Sequence, residues 1–580
     1  MKFRIIVGLL ASVGAMTLVS ADDGSSYDPG LPRKKILSVS HEFSWCSTSN
    51  LLANAAAYDE VGTDGCCIDI VGTPISGKAP MSYMVMRDRR KWPVDAFRNE
   101  VPRLKELRTH KAFKELFIGC LRAPDRYIAW EDDVMWEAIG THLGAIAWAA
   151  HAAGCPGLYG DQEEYFGAHQ FIIRKDDPRS WEDLAALARR RGRQVFEPAF
   201  REFPDMKLFF FRFLMIDPGF WNYYANASDP VAEMKGMRDL WPAFANGVLD
   251  VMPTTAQLIE GDETGYRYES EFNGFYYHYN EQRAQMVKFV APENRAKFYA
   301  VMRSAFPVYL DMYSRYSPES VDYYRGPKDG SRAAHMERNF AQALRASDEY
   351  VWLYAEWRPF IRWKGRTLRK GMDGDHTWFD SFPGFGEVMK ANVDPDGYGR
   401  RVAAALKAGK TYPDLVAHGD CRLEGVDDFV SDKTKWPKNF AVWSAKPDDG
   451  AIGFDLTDGC LAKGAFKGEN CANSCVLVSS QDVKCGEYYY VTVSVRNPAS
   501  EFVRLQTPLR GYGQVNWTEN IFRMPVGAPD ERGWCHAAKF IRIPDKCEKM
   551  VLTVSFKPGA TTLVDDIHFY RVIDQLKDGR

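Results

Sequence analysis

Three short stretches of this chain set carboxylates beside glycine and aromatic residues: Asp161-Gln162-Glu163-Glu164-Tyr165, Glu260-Gly261-Asp262-Glu263-Thr264-Gly265-Tyr266 and Tyr354-Ala355-Glu356-Trp357. Two carboxyl groups on opposite sides of an acetal can break it. One donates a proton to the leaving oxygen, and the other, ionised, attacks or activates water. Burial and neighbouring charge must hold their pKa values apart. Side chains alternate along an extended chain, so Asp161, Glu163 and Tyr165 share one side. Glu163 is therefore the expected general acid, tuned by the like charge of Asp161. Glycines permit tight turns around the second stretch, and Glu263 is the expected second carboxylate, with Glu356 in reserve. The plain alternatives are a solvated acidic loop, a surface turn, and an ion pair of Glu356 with Arg358 or Arg362.

His41, Trp45, Tyr165, Arg212, Tyr266, Asp311, Trp357 and Trp363 are the expected substrate-holding groups. Arg212 lies within the apolar run FFFRFL, where a charge is costly unless it meets a carboxylate. Trp45, Trp357 and Trp363 offer stacking walls, with core packing as the alternative. Arg212, Arg358 and Arg362 suit an anionic ligand or simple neutralisation of the acids. No GxSxG elbow, HExxH motif or phosphate-cradling glycine fingerprint is present, which leaves serine-hydrolase, zinc-protease and nucleotide readings without support. Neither a metal nor a cofactor is expected.

Such groups need a frame that gathers them. Eight apolar runs, at residues 34–41, 65–72, 115–122, 157–165, 207–214, 256–263, 306–313 and 350–357, are separated by longer segments, several with helical spacing such as 136–153 and 181–203. Continuous apolar runs suit strands buried on both faces. Their alternation with helices predicts an α/β (β/α)8 barrel, a TIM barrel, whose strand ends converge on one mouth. An open doubly wound sheet is the rival. Past residue 438 helical periodicity ends. Runs at 488–496, 537–544, 549–556 and 561–572 alternate, which predicts an all-β sandwich or jelly roll.

Lys2 and Arg4, the apolar stretch 5–19 and Val19-Ser20-Ala21 read as a secretory leader, so a secreted or periplasmic location without stable membrane insertion is expected. The domains expected are a leader at 1–21, a catalytic barrel at 22–413, a linker at 414–437 and a sandwich at 438–580. Cys421, Cys460, Cys471, Cys475, Cys485, Cys535 and Cys547 crowd the last part and suggest disulfide staples. Lys plus Arg (74) nearly cancel Asp plus Glu (77), so the basic excess of a nucleic-acid binder is missing.

The chain resembles exported bacterial (β/α)8-barrel glycoside hydrolase-like proteins. Those carry a DxExY motif after strand four (here Asp161, Glu163, Tyr165), a GxE after strand six (Gly261, Glu263) and a YVW-type eighth strand ending in Glu (Glu356). It differs from the large retaining clan, which has Asn-Glu after strand four and Glu after strand seven; here Asp-Gln-Glu and Asp311 stand there. The Asp-x-Glu pair is also similar to that of chitinase-type barrels. The part from 438 to 574 is similar to galactose-binding-like sandwiches, in GEYYYVTVSVR and LVDDIHFYRV, with Trp517 and Trp534 as candidate binding-face aromatics. The resemblance implies an exported hydrolase of a poly- or oligosaccharide; the alternative is a non-catalytic glycan-binding protein on a degenerate barrel.

Overall fold

The computed structural model describes residues 33–579 apart from 44–45, 164–165, 215–228, 270–273, 315–324, 329, 366, 369, 417–418, 420–439, 444–450, 456, 461–463, 472–475, 509–520 and 546. The expected leader, most of the expected linker, and Trp45, Tyr165 and Trp517 lie outside the described residues.

Strands β1 (Lys35–Ser40), β2 (Gly65–Ile68), β3 (Glu115–Arg122), β4 (Gly157–Asp161), β5 (Lys207–Phe210), β6 (Gln257–Glu260), β7 (Met302–Ser304), β8 (Phe306–Tyr309) and β9 (Tyr350–Ala355) form one sheet. Every pairing in it is parallel, in the order β7-β6-β5-β4-β3-β2-β1-β9-β8. The two end strands, β7 and β8, are separated along the chain by Ala305 alone. They act as halves of one wall strand, the first paired with β6 and the second with β9. Pro307, which has no N–H for the ladder, lies in the second half. The sheet thereby closes almost fully into a barrel. All strands but β7 fall inside the expected runs.

Outside it, helices Asp133–Ala152 and Trp181–Glu202 begin on side-chain caps from Asp132 and Ser180. Strand residues alternate between two cores. Ile36, Ile118, Leu158, Leu208 and Leu258 face the helices, while Leu37, Phe117, Tyr159, Phe209, Ile259 and Trp352 fill the barrel. Within the barrel Phe117 meets Phe209, and Phe211 stacks on Trp352 with centroids 4.8 Å apart. Below these rings an ion network closes the N-terminal end. Lys35 Nζ lies 2.7 Å from both Glu115 and Glu349, Lys207 Nζ lies 2.7 Å from Glu349, and Tyr350 OH donates to Glu115 at 2.5 Å.

Ten further strands form two five-stranded antiparallel sheets. One holds β10 (Phe440–Trp443), β13 (Val476–Asp482), β18 (Lys549–Ser555), β15 (Phe502–Gln506) and β16 (Ile521–Pro525). The other holds β11 (Ala451–Asp455), β12 (Ala465–Glu469), β19 (Thr561–Ile573), β14 (Tyr488–Arg496) and β17 (Trp534–Arg542). Leu477 and Leu552 from the first share a core with Val491 and Phe569 from the second, which makes a β-sandwich. Trp534 is wholly buried in a small cluster with Cys460 and Leu563, so it is a packing residue and not a binding-face aromatic. Arg542 on β17 forms a buried pair, at 2.8 Å from two of its nitrogens, with Glu337 of helix Arg332–Ala346.

Among the described residues no disulfide joins two cysteines. The expected staples are thus not seen there, and the late cysteines that are described mostly sit as small apolar side chains in separate parts of the sandwich. Among the described residues no helix is long and apolar enough to cross a membrane.

Candidate active site

The C-terminal strand ends open into a cavity of about 660 Å³. Of the residues expected from sequence, His41, Asp161, Glu163, Arg212, Glu263, Tyr266 and Glu356 line it. They come from β1, β4, β5, β6 and β9 or the turns just beyond, which is why positions far apart in the chain meet.

Arg212 is the hub. Its Nη2 lies 3.1 Å from Glu163 Oε1 and its Nε lies 2.8 Å from Glu263 Oε2, so one guanidinium serves both glutamates. Local structure sets all three. The Gln162 side chain donates to the Arg212 carbonyl, and Asp161 Oδ1 accepts the Glu163 N–H at 3.1 Å. After β6 the chain must pass close to β5: a Cβ at Gly261 would lie 2.7 Å from the Phe210 carbonyl. Asp262 then takes a left-handed φ of 45°, and Glu263 N donates to the Phe211 carbonyl at 3.0 Å. That turn aims Glu263 into the cavity.

The two glutamates differ in burial. The Glu263 side chain is 11% exposed and that of Glu163 is 29% exposed. Burial raises the Glu263 carboxyl well above the ordinary range, against the pull of Arg212 and with the help of Glu163 and Asp161. Arg212 itself is held above its usual value: burial opposes its charge, but Glu263 and Glu163 outweigh burial.

Opposite stands a tyrosine wall. Tyr266 packs on Tyr309 and Tyr354 with centroids 5.0 and 5.7 Å apart. Tyr354 OH donates to Glu356 Oε1 at 2.7 Å, and His41 Nε2 lies 3.3 Å from the same hydroxyl. Asp311 does not line the cavity. It sits behind Glu356 and accepts that residue's N–H at 2.8 Å; burial pushes its carboxyl up to about 8.

Several expected residues have other work. Trp357 is 47% exposed outside the cavity lining. Trp363 packs on Tyr58 and donates to Glu42, a buried acid that also takes the Phe360 N–H. Arg358 is buried against Ser381, and Arg362 pairs with Asp380 at 3.0 Å, so neither supplies charge to the mouth. Glu260 accepts the N–H groups of Phe213 and Leu214, and Asp262 accepts the Thr264 hydroxyl.

Sequence reasoning missed Asp69, Arg122, Tyr159, Phe166 and Tyr309, all of which line the cavity. For Asp69 a signal existed: it lies two residues beyond Cys67 in β2, on the same inward side. Among the described residues no group of three or more His, Cys, Asp or Glu side chains is placed to hold a metal ion.

No family model and no curated protein matches the chain. Solved structures similar to part of it include the enzymatically active domain of tailspike protein 4 from bacteriophage CBA120, with 12% identity over 27% of this chain and 21% of that chain, TM-score 0.21. Another is the CBM22-1–GH10 pair of Clostridium thermocellum endo-1,4-beta-D-xylanase 10B with xylohexaose, with 14% identity over 23% of this chain and 26% of that one, TM-score 0.19. A third is the module TmCBM61 in complex with beta-1,4-galactotriose, with 15% identity over 23% of this chain and 90% of that one, TM-score 0.17. The chain thus spans about a fifth to a quarter of the first two.

Proposed function

We propose that this protein is an exported glycoside hydrolase that cleaves a poly- or oligosaccharide between Glu263 and Glu163. The observation that carries the reading is the pair of glutamates on one guanidinium at the mouth of a barrel, unequally buried. Acetal cleavage needs one proton-holding and one ionised carboxyl, and unequal burial supplies that difference. The more buried Glu263 is then the acid that protonates the leaving oxygen. Glu163, more exposed and ion-paired, is the carboxylate that attacks or activates water. This reverses the roles expected from sequence, because Glu263 is the more deeply buried of the two and burial raises its carboxyl. Tyr354 and Asp311 orient Glu356 on the far wall, where it meets substrate hydroxyls.

Glu163→Gln and Glu263→Gln should each lower kcat by about 10²–10⁴-fold on a cleavable glycan, with the melting temperature unchanged within a few degrees. Full activity in both variants would end the reading. The same Arg212 also favours a second one. An arginine that neutralises both glutamates suits a barrel that holds glycan without cutting it. Binding without release of reducing ends across a glycan panel would decide for that alternative.

A further inference from the structure

We propose that Asp69, Arg122 and Tyr159 form a subsite that reads the hydroxyls of an uncharged sugar unit held beside the two glutamates. The inference deepens the hydrolase reading and rests on it for the placement of the sugar.

The three residues come from neighbouring strands, with Asp69 just past β2, Arg122 ending β3 and Tyr159 in β4, and they line the same cavity as Glu163 and Glu263. Arg122 Nη2 donates to Asp69 Oδ2 at 3.1 Å and to the Tyr159 hydroxyl at 2.6 Å. Ser82 Oγ donates to Asp69 Oδ1 at 3.0 Å and fixes that carboxylate from behind. This frame uses one nitrogen of the guanidinium. Arg122 Nε is fully buried, while the side chain as a whole is 34% exposed where it borders the cavity. The Tyr159 hydroxyl, having accepted from Arg122, keeps a proton to donate, and burial holds it as a neutral phenol. Asp69 retains acceptor lone pairs. Donors and acceptors therefore stand side by side in one small patch. Neighbouring hydroxyls on a sugar ring, each both donor and acceptor, match such a patch.

Charge decides the class of sugar. Arg122 is met by Asp69, and Arg212 by Glu163 and Glu263. The described lining holds five carboxyl groups, of Asp69, Asp161, Glu163, Glu263 and Glu356, against the three guanidiniums of Arg122, Arg212 and Arg267. With Glu263 protonated, the wall still carries more carboxylates than guanidiniums. A uronate or sulfate would enter against that excess in a partly dehydrated hollow, where repulsion is strong. The anionic ligand that Arg212, Arg358 and Arg362 suggest in sequence is thereby disfavoured.

The barrel makes room for this patch. A Cβ at Gly119 would fall 2.3 Å from Asp69 Oδ1 and 3.3 Å from the Tyr159 ring. Beyond Gly119 the β3–β4 register shifts, with Gly119 opposite Tyr159, Leu121 opposite Gly160 and Arg122 opposite Asp161. Cys120 and Leu121 both face the outer core, and the shift turns Arg122 inward.

The test pairs neutral gluco-, galacto-, xylo- and manno-oligosaccharides with uronate- or sulfate-bearing counterparts of the same length and linkage. Wild-type chain is assayed for reducing-end release. Binding of each probe is measured by calorimetry on the Glu163→Gln variant. Neutral probes should be preferred at least about tenfold in kcat/KM and in affinity. Asp69→Asn should raise KM and Kd for them about tenfold or more while kcat falls far less. Tyr159→Phe, which keeps the ring, should act in the same direction and guards against a folding defect in the first variant. Preference for the charged partners, or unchanged KM and Kd in both variants, overturns the subsite. Absence of cleavage on every probe fails the hydrolase reading, and the affinities still decide the subsite: weakened neutral-sugar binding in the variants supports it. Absence of any neutral-sugar binding overturns it.

Discussion

Arg212 sets the electrostatic balance of the mouth, because its single positive charge answers two glutamates. Arg212→Met removes the positive charge that lowers the Glu263 pKa. The Glu263 pKa must then rise. If protonated Glu263 is the acid, activity is present below its pKa and lost as pH climbs through it. The alkaline limb of kcat/KM should therefore move to higher pH in Arg212→Met, while kcat at neutral pH drops about tenfold or more as Glu163 loses its anchor. A limb that stays in place or moves downward would remove Glu263 from the acid's role. At this scale much of the site is legible from residue types at strand ends: Glu163, Glu263, Glu356, His41, Arg212 and Tyr266 all reach the cavity. What sequence hides is the division of labour among adjacent acids. Glu260, Asp262 and Glu263 look equivalent in a row, yet backbone turns assign the first two to local N–H and hydroxyl groups and only the third to the cavity.

At the scale of elements, β3 shows why a period-two reading falls short. Regular alternation puts Arg122 on the same side as Ile118 and Cys120, facing the helices. One extra residue in the ladder inverts that parity at the strand's end. Nothing in ELFIGCLR announces a bulge, so Arg122 escapes notice, whereas the existence of the strand itself is plain from its apolar run. Gly119 belongs to the same device. Gly119→Ala should cost about 1–3 kcal/mol of stability, read by denaturant unfolding, and should weaken substrate affinity by displacing Asp69. Wild-type stability and KM would show that the patch tolerates the methyl. The strand seven split has a similar origin. The run 306–313 is legible, but the short β7 before it, which completes the pairing with β6, carries no apolar signature beyond Met302.

For the whole molecule, the barrel and the sandwich meet through charge as well as apolar packing. Glu337 and Arg542 are 2% and 3% exposed, and the Tyr488 hydroxyl also donates to Glu337. Removing one member of a buried pair leaves the other uncompensated, so Glu337→Gln should destabilise the full chain by about 3–5 kcal/mol. Calorimetry should show the sandwich and barrel transitions drawing apart. A loss below about 1 kcal/mol would mean that water already screens the pair. No pattern in the sequence pairs residues 337 and 542, which lie 205 positions apart. A last consequence follows from the floor of the barrel, plugged by aromatic rings and sealed beneath by Lys35, Glu115, Lys207 and Glu349. Among the described residues the base of this well is closed, so on the hydrolase reading arriving glycan and departing fragment would share the mouth, and a fragment slow to leave would hold up the next turnover.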